Sequence, residues 1–171
     1  MKLMHSSSGV LDVDVQIALS DDEEPPSSHE LSLWAQTAYQ ASSDSLIDTE
    51  VTIRLVSEQE IQLLNRDYRQ KDKVTNVLAF AFDMPAEFGG DALDEAADPI
   101  ALLGDIVICH AVVVTEAEQQ NKTVTDHYAH MVTHGVLHLC GYDHIDEQDA
   151  LTMEALETTI LATHGIANPY S

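Results

Sequence analysis

LLGDIVIC, residues 102–109, is a strongly apolar, β-branched run and reads as a strand near the centre of a sheet. Downstream of it, HAVVVTEAEQQN (110–121) turns into a helix ending near Asn121. Thr123 and Asp126 then have the spacing of a capping arrangement before a helix from Val124 to about Leu139, which Gly141 ends. A last amphipathic helix follows Asp146 and carries Leu151, Leu156 and Ile160. Upstream, TNVLAFAF (75–82) is a third strand, separated from the central one by MPAEFGGDALDEAADP (84–99), whose Gly, Pro and acids without apolar period predict a long exposed loop. Further back, EVTIRLVS (50–57) alternates Val51, Ile53 and Leu55. Ser57 and Glu60 open a helix with Ile61, Leu64 and Tyr68 on one side. LDVDVQIALS (11–20) is a half-buried strand, DDEEPPSS (21–28) breaks it, and Ser27 with Glu30 caps a helix through Leu33, Trp34 and Ala38. Four strands with about five helices, irregularly alternating toward the C-terminus, predict an α+β domain with a four-stranded mixed sheet covered by helices.

At 171 residues the chain suits one domain, read as a short polar tail over 1–10 and a single domain over 11–171. Seven Lys and Arg against 30 Asp and Glu give a net charge of -23, which excludes adhesion to polyanions through bulk charge. Any anionic partner must meet a local basic patch. Cys109 and Cys140 allow at most one bridge, so a disulfide framework is excluded and a reducing compartment fits. The opening residues lack a secretory pattern, and the apolar stretch around 106–114, interrupted by His110, is far short of the roughly 20 residues that span a bilayer. A cytoplasmic protein without membrane contact is expected.

The chemistry concentrates in HGVLHLCGYDH, residues 134–144. His134 and His138 leave one helix face about a turn apart, a rise of roughly 6 Å. Gly141 can take the left-handed conformation that turns the chain, so that His144 returns to the same ion. Three neutral imidazoles leave the fourth position of a tetrahedral divalent ion open, the ligand count of a catalytic site, and zinc is the first candidate. The spacing matches the metal-binding skeleton of the metzincin proteases, which gives the expectation of a zincin-like metal site. Where those proteases carry Glu after the first His, this chain has Gly135, so peptide hydrolysis by that route is disfavoured. His127 lies roughly 10 Å along the axis from His134, too far to share its metal, and with His130 reads as a packing or ligand-supporting group. Cys140 reads as a small buried hydrophobe rather than a ligand. Asp143 reads as a group that orients an imidazole.

Arg66, Arg69, Lys71 and Lys73 place four of the 7 basic residues within RDYRQKDK, residues 66–73. Such a group between a helix end and a strand suits phosphate oxygens, Arg bidentately and Lys as a point charge. A metal beside a phosphate clamp implies phosphodiester chemistry, with Arg69 stabilising charge on the phosphoryl oxygens and Arg66, Lys71 and Lys73 binding substrate. Asp105 either orders that Arg or a water, or serves a turn. No carboxylate is placed as general base.

HGVLHLCGYDH, LNRDYRQKDKVTNVLAFAF (64–82) and LLGDIVIC together resemble, in order, three blocks of the YbeY family of bacterial metal-dependent endoribonucleases. The likeness runs from about Val51 to the C-terminus and more loosely over Leu11 to Ala41. The resemblance implies a helix-covered mixed sheet, a zinc-type ion on His134, His138 and His144, a functional Arg69 and cleavage of single-stranded RNA. It also implies 16S rRNA 3′-end maturation and late ribosome quality control, with small-subunit ribosomal proteins and an assembly GTPase as partners. Two other readings compete: a metal-stabilised assembly factor that binds rRNA without cutting it, and a metzincin-like peptidase.

Overall fold

The computed structural model describes residues 10–42, 48–81, 101–142 and 146–170. The N-terminal tail through residue 9, the loop over 84–99, and Asp143 with His144 lie outside the described residues. The chain runs β1 (Leu11–Ile17), α1 (Ser28–Ser42), β2 (Thr49–Val56), α2 (Glu58–Arg69), β3 (Val77–Ala81), β4 (Ala101–Cys109), α3 (His110–Gln119), α4 (Val124–Leu139) and α5 (Glu147–Thr163). One sheet has the order β1-β2-β4-β3. β1, β2 and β4 are parallel, and β3 pairs antiparallel with β4. The expected α+β architecture is the observed one, with LLGDIVIC inside the sheet and β3 at its edge. Among the described residues no helix is long and apolar enough to cross a membrane.

The helix starts sit where side chains satisfy the otherwise unpaired first-turn amides. Ser27 and Glu30 close a reciprocal box, Ser27 Oγ accepting from the Glu30 amide and Glu30 Oε1 from the Ser27 amide, both at 3.1 Å. Ser57, Thr123 and Asp146 accept from the amides of Glu60, Asp126 and Asp149 at 3.2, 3.0 and 2.8 Å. The Glu60 carboxylate turns instead to Arg54 on β2, taking bonds of 2.6 and 3.1 Å. The third strand is shorter than its sequence suggests at the start: Asn76 Oδ1 accepts from the Val77 amide at 2.7 Å, capping the strand with a side chain. β1 stops before Ser20, whose hydroxyl donates to Asp22 and Glu23 and begins a turn.

Alternation along β4 divides the interior. Ile106 and Ile108 face a large core shared with Leu31 and Trp34 of α1, Val132 and Val136 of α4, and Met153 and Ile160 of α5. Val107 and Cys109 face a smaller cluster with Val56, Ile61 and Leu78, beneath α2. The remainder of that second face is an open groove.

Two glycines let this packing close. Gly104 has φ +145, at a register shift between β2 and β4, and an added Cβ would lie 2.3 Å from the Phe80 carbonyl oxygen. Gly135 on α4 lies against β4 so closely that a Cβ would come within 2.9 Å of Ile106 Cγ2. The second contact brings the histidine-bearing helix down onto the sheet. Gly104→Ala is expected to destabilise the protein by about 3 kcal/mol, since a backbone oxygen has nowhere to go, and Gly135→Ala by about 1 kcal/mol, because better helix propensity offsets part of the clash. Urea unfolding midpoints measure both, and equal values for the two variants and the parent would contradict these close approaches.

Candidate functional site

Four histidines form a stripe along α4 at intervals of three, four and four residues. Successive ring centroids of His127, His130, His134 and His138 are 6.0, 6.3 and 4.6 Å apart. His134 and His138 are the tightest pair and both are partly exposed. Just beyond them the Gly141 and Tyr142 amides donate to the carbonyls of His138 and Leu137, each at 3.0 Å, and Gly141 takes φ +103. The helix therefore ends in the left-handed turn expected of it, immediately before the segment that carries His144.

Behind this pair lies a carboxylate. Glu157 on α5 is completely buried, and its Oε2 accepts from His134 Nδ1 at 2.6 Å. Its Oε1 accepts from His130 Nε2 at 3.1 Å and from the Tyr170 hydroxyl. Burial pushes the Glu157 carboxyl up, but the bonds from His130 and His134, the His134 charge and the Tyr170 bond outweigh it and hold the group down at about 2. A carboxylate can only accept, so His134 Nδ1 is the protonated nitrogen and a neutral imidazole carries its lone pair on Nε2. That is the tautomer a metal-binding Nε2 requires. The Tyr170 phenol is pushed up by burial and by Glu157, which keeps it a donor.

His127 belongs to another network. Its Nε2 donates to Glu116 Oε1 at 2.8 Å, and the same carboxylate accepts from Asn76 Nδ2 at 3.1 and 3.3 Å. Burial pushes the His127 imidazole down, against the opposing Glu116 bond. His127 thus secures the start of β3, while His130 supports the carboxylate behind His134.

Arg69 at the end of α2, residues 76–79 and His134, Gly135 and His138 enclose a cleft of about 250 Å³. Arg69 Nη2 donates to the Ala79 carbonyl at 2.6 Å, and its guanidinium lies 5.3 Å from the Phe80 ring centroid. The arginine therefore lies along the edge of β3 and lines the same cleft as the histidine pair. The other basic residues do not line this cleft: Arg66 pairs with Asp67 at 3.1 Å, and Lys71 and Lys73 are exposed on the connection from α2 to β3. Asp105 faces the groove on the opposite side of the sheet, beside Thr52 and Phe80. Cys140 packs against the large core and its Sγ accepts from the Ser42 hydroxyl at 3.5 Å, with burial pushing the thiol up. Gly135 occupies the place of a metzincin's glutamate, and a Cβ added there would come within 2.9 Å of Ile106 Cγ2.

Among the described residues no three His, Cys, Asp or Glu converge as a ligand set. Two imidazoles stand together with the tautomer of one fixed, and His144 lies outside the described residues. Glu157 and Tyr170 escaped the sequence reading. Glu157 had left a signal: it shares a face with Met153, Ile160 and Leu161, all buried, so a carboxylate stands in an apolar stripe. Tyr170 had none.

A model of the family described as Endoribonuclease YbeY matches residues 16–165. A relative of that name from Alcanivorax borkumensis is 51% identical over 93% of this chain and 86% of its own. One of the same name from Chromohalobacter salexigens is 47% identical over 94% and 97%. A protein from Thermotoga maritima, solved in solution, has a similar fold, with a TM-score of 0.53, 24% identity and coverage of 87% and 86% of the two chains.

Glu157→Ala removes the shared acceptor of a buried His130 and of the partly exposed His134 and Tyr170, and is expected to cost about 3 kcal/mol, against about 1 kcal/mol for Tyr170→Phe. The folded-state pKa of Glu157 lies below its ordinary 4.5, so its contribution is complete above pH 4.5 and disappears as pH falls toward 2. In Glu157→Gln the acid limb of the stability profile should flatten across that window. Denaturant unfolding at a series of pH values checks both, and an unchanged acid limb would mean that the carboxylate is not held as described.

Proposed function

The chain belongs to the YbeY endoribonuclease family, and we propose that it is a metal-dependent hydrolase that cleaves single-stranded RNA at the cleft between Arg69 and the α4 histidines. The observation that carries this reading is the meeting of a guanidinium from α2 with an imidazole pair from α4 in one cleft. His134 and His138, with His144, would hold one divalent ion, zinc first among the candidates. When bound, such an ion supplies Lewis acidity toward a phosphoryl oxygen and lowers the pKa of a coordinated water.

The chain's own residues do the rest. Glu157 keeps His134 in the Nδ1-protonated tautomer and aims its ring. Arg69 holds nonbridging phosphate oxygens and stabilises charge developing on them, while Arg66, Lys71 and Lys73 attract the flanking phosphates. Gly135 offers no general base, so deprotonation of the attacking oxygen falls to a group other than the residue after the first histidine. We place the activity in 16S rRNA 3′-end maturation and late ribosome quality control in the cytoplasm, with small-subunit ribosomal proteins and an assembly GTPase as partners. Protein partners also answer the charge problem, since a chain of net charge -23 gains little from bulk attraction to RNA.

A non-catalytic assembly factor is favoured by one feature: Glu157 ties α4, α5 and Tyr170 together, so the same histidines serve the fold. A peptidase is opposed by Gly135 and by Arg69, which occupies the free edge of β3 where an extended peptide would pair. Purified protein should cut single-stranded RNA and lose the activity on chelation and in His134→Ala, with the circular dichroism spectrum kept. Arg69→Ala should lose about 10²- to 10³-fold in cleavage while retaining metal. Normal turnover by Arg69→Ala would remove the phosphate clamp, and metal-loaded protein that binds RNA without cutting it would favour the assembly factor.

A further inference from the structure

Tyr68 is a large aromatic on the inward side of α2, yet it is 66% exposed. Its ring meets Phe80 of β3 edge-on, with centroids 5.6 Å apart, and Phe80 in turn carries the Arg69 guanidinium. Both rings border the open groove on the second sheet face, a space of about 460 Å³ lined also by Val107 of β4 and Leu64 of α2. An aromatic left in water beside a second ring and a cation has no role in the core, whose smaller cluster closes beneath Ile61 and Leu78.

The charges sort what each side of β3 can take. In the groove, Arg54 is already paired with Glu60, and Asp105 adds a negative charge, so phosphate is disfavoured there and an uncharged ring is not. On the cleft side, Arg69 stands with the imidazoles. Arg69 touches both sides, through the Ala79 carbonyl and the Phe80 ring. The geometry points to the exposed Tyr68 ring, braced edge-on by Phe80, as a stacking platform for an unpaired nucleobase of the RNA strand whose phosphate Arg69 holds. Stacking on an aromatic face tolerates any base and requires that base to be unpaired, which selects single strands. This rests on the endoribonuclease reading and adds to it a source of strand selectivity.

The test compares the parent protein with Tyr68→Ala and Tyr68→Phe on a fluorescent single-stranded RNA oligonucleotide and on the same oligonucleotide carrying abasic sites, by anisotropy and by cleavage. Tyr68→Ala should weaken binding of the intact strand about tenfold and Tyr68→Phe should restore it, with circular dichroism unchanged because the side chain is exposed. On the abasic strand the parent and Tyr68→Ala should bind alike. Parent protein that cuts RNA with Tyr68→Ala equal to it in affinity would overturn the platform and leave the activity standing, including the case in which this face serves a protein partner. Parent protein that neither binds nor cuts RNA would overturn both. An equal loss for Tyr68→Ala on intact and abasic strands would also overturn stacking, since the tyrosine would then act on something other than a base.

Discussion

A carboxylate with no exposed surface, held between two imidazoles and a phenol, is the constraint on which this site depends. An ionised group in such a place is tolerated only when its lone pairs are taken, because desolvation costs several kcal/mol. Glu157 therefore sets conditions on its surroundings: α5 must lie where Glu157 meets the α4 stripe, and the chain end must return so that Tyr170 can donate. In satisfying the carboxylate, the fold also sets the His134 ring. A single interaction thus makes the difference between four histidines on a helix and one imidazole presented in a defined tautomer.

The second condition is closeness. Helices pack on sheets at a distance set by the side chains between them, and a glycine at 135 against Ile106 shortens that distance locally. His134 flanks this contact and His138 lies one turn on, so both are delivered to the margin of the sheet, where β3 is the last strand. An edge strand has unpaired carbonyls, and one of them, on Ala79, anchors Arg69. Among the described residues Arg54 and Arg66 are paired with carboxylates, whereas Arg69 rests on a carbonyl and an aromatic face, neither of which neutralises it. At physiological ionic strength the screening length is about 8 Å, so a phosphate in contact with Arg69 feels that cation more than the distant acids of the chain. This is how a strongly acidic protein can present a local site for an anion.

Sequence was a good guide where structure follows from neighbours along the chain. Helix starts at Ser27, Ser57, Thr123 and Asp146 and the glycine-mediated end of α4 are local hydrogen-bonding problems, and each is solved by the residue that the pattern singled out. β1 and β2 followed from alternation, β3 and β4 from continuous apolar runs. The mutual placement of Arg69 and His134 was suggested by chemistry alone, since no periodicity connects residues on different elements. Asp105, left open between an arginine partner and a turn residue, lies across the sheet from the histidines because side chains of a strand alternate, and its neighbour Ile106 already faces α4. Glu157 is hard to single out in sequence because one acid in an amphipathic helix resembles ordinary surface, and only its register with Met153 and Ile160 marks it. Tyr170 acts from beyond the last helix, and its position depends wholly on tertiary packing.

The two faces of the sheet at β3 differ in the kind of contact they can make, and this follows from a strand's alternation rather than from any added element. Ala79 and Val77 turn small or branched side chains toward α4 and leave a shallow polar cleft, while Phe80 and Leu78 turn larger ones toward α2. A nucleotide has the same division, a charged phosphate and an uncharged aromatic base separated by a sugar. An edge strand with a cation at one side and a ring at the other can therefore engage both parts of one residue of a strand, provided that the strand is single and its base free to turn. A duplex meets neither condition, since its bases are stacked and paired within the helix, and a peptide meets the edge only by displacing Arg69 from Ala79. On the platform proposed above, selectivity for unpaired RNA would need no separate recognition domain: it would follow from which atoms of β3 face which way.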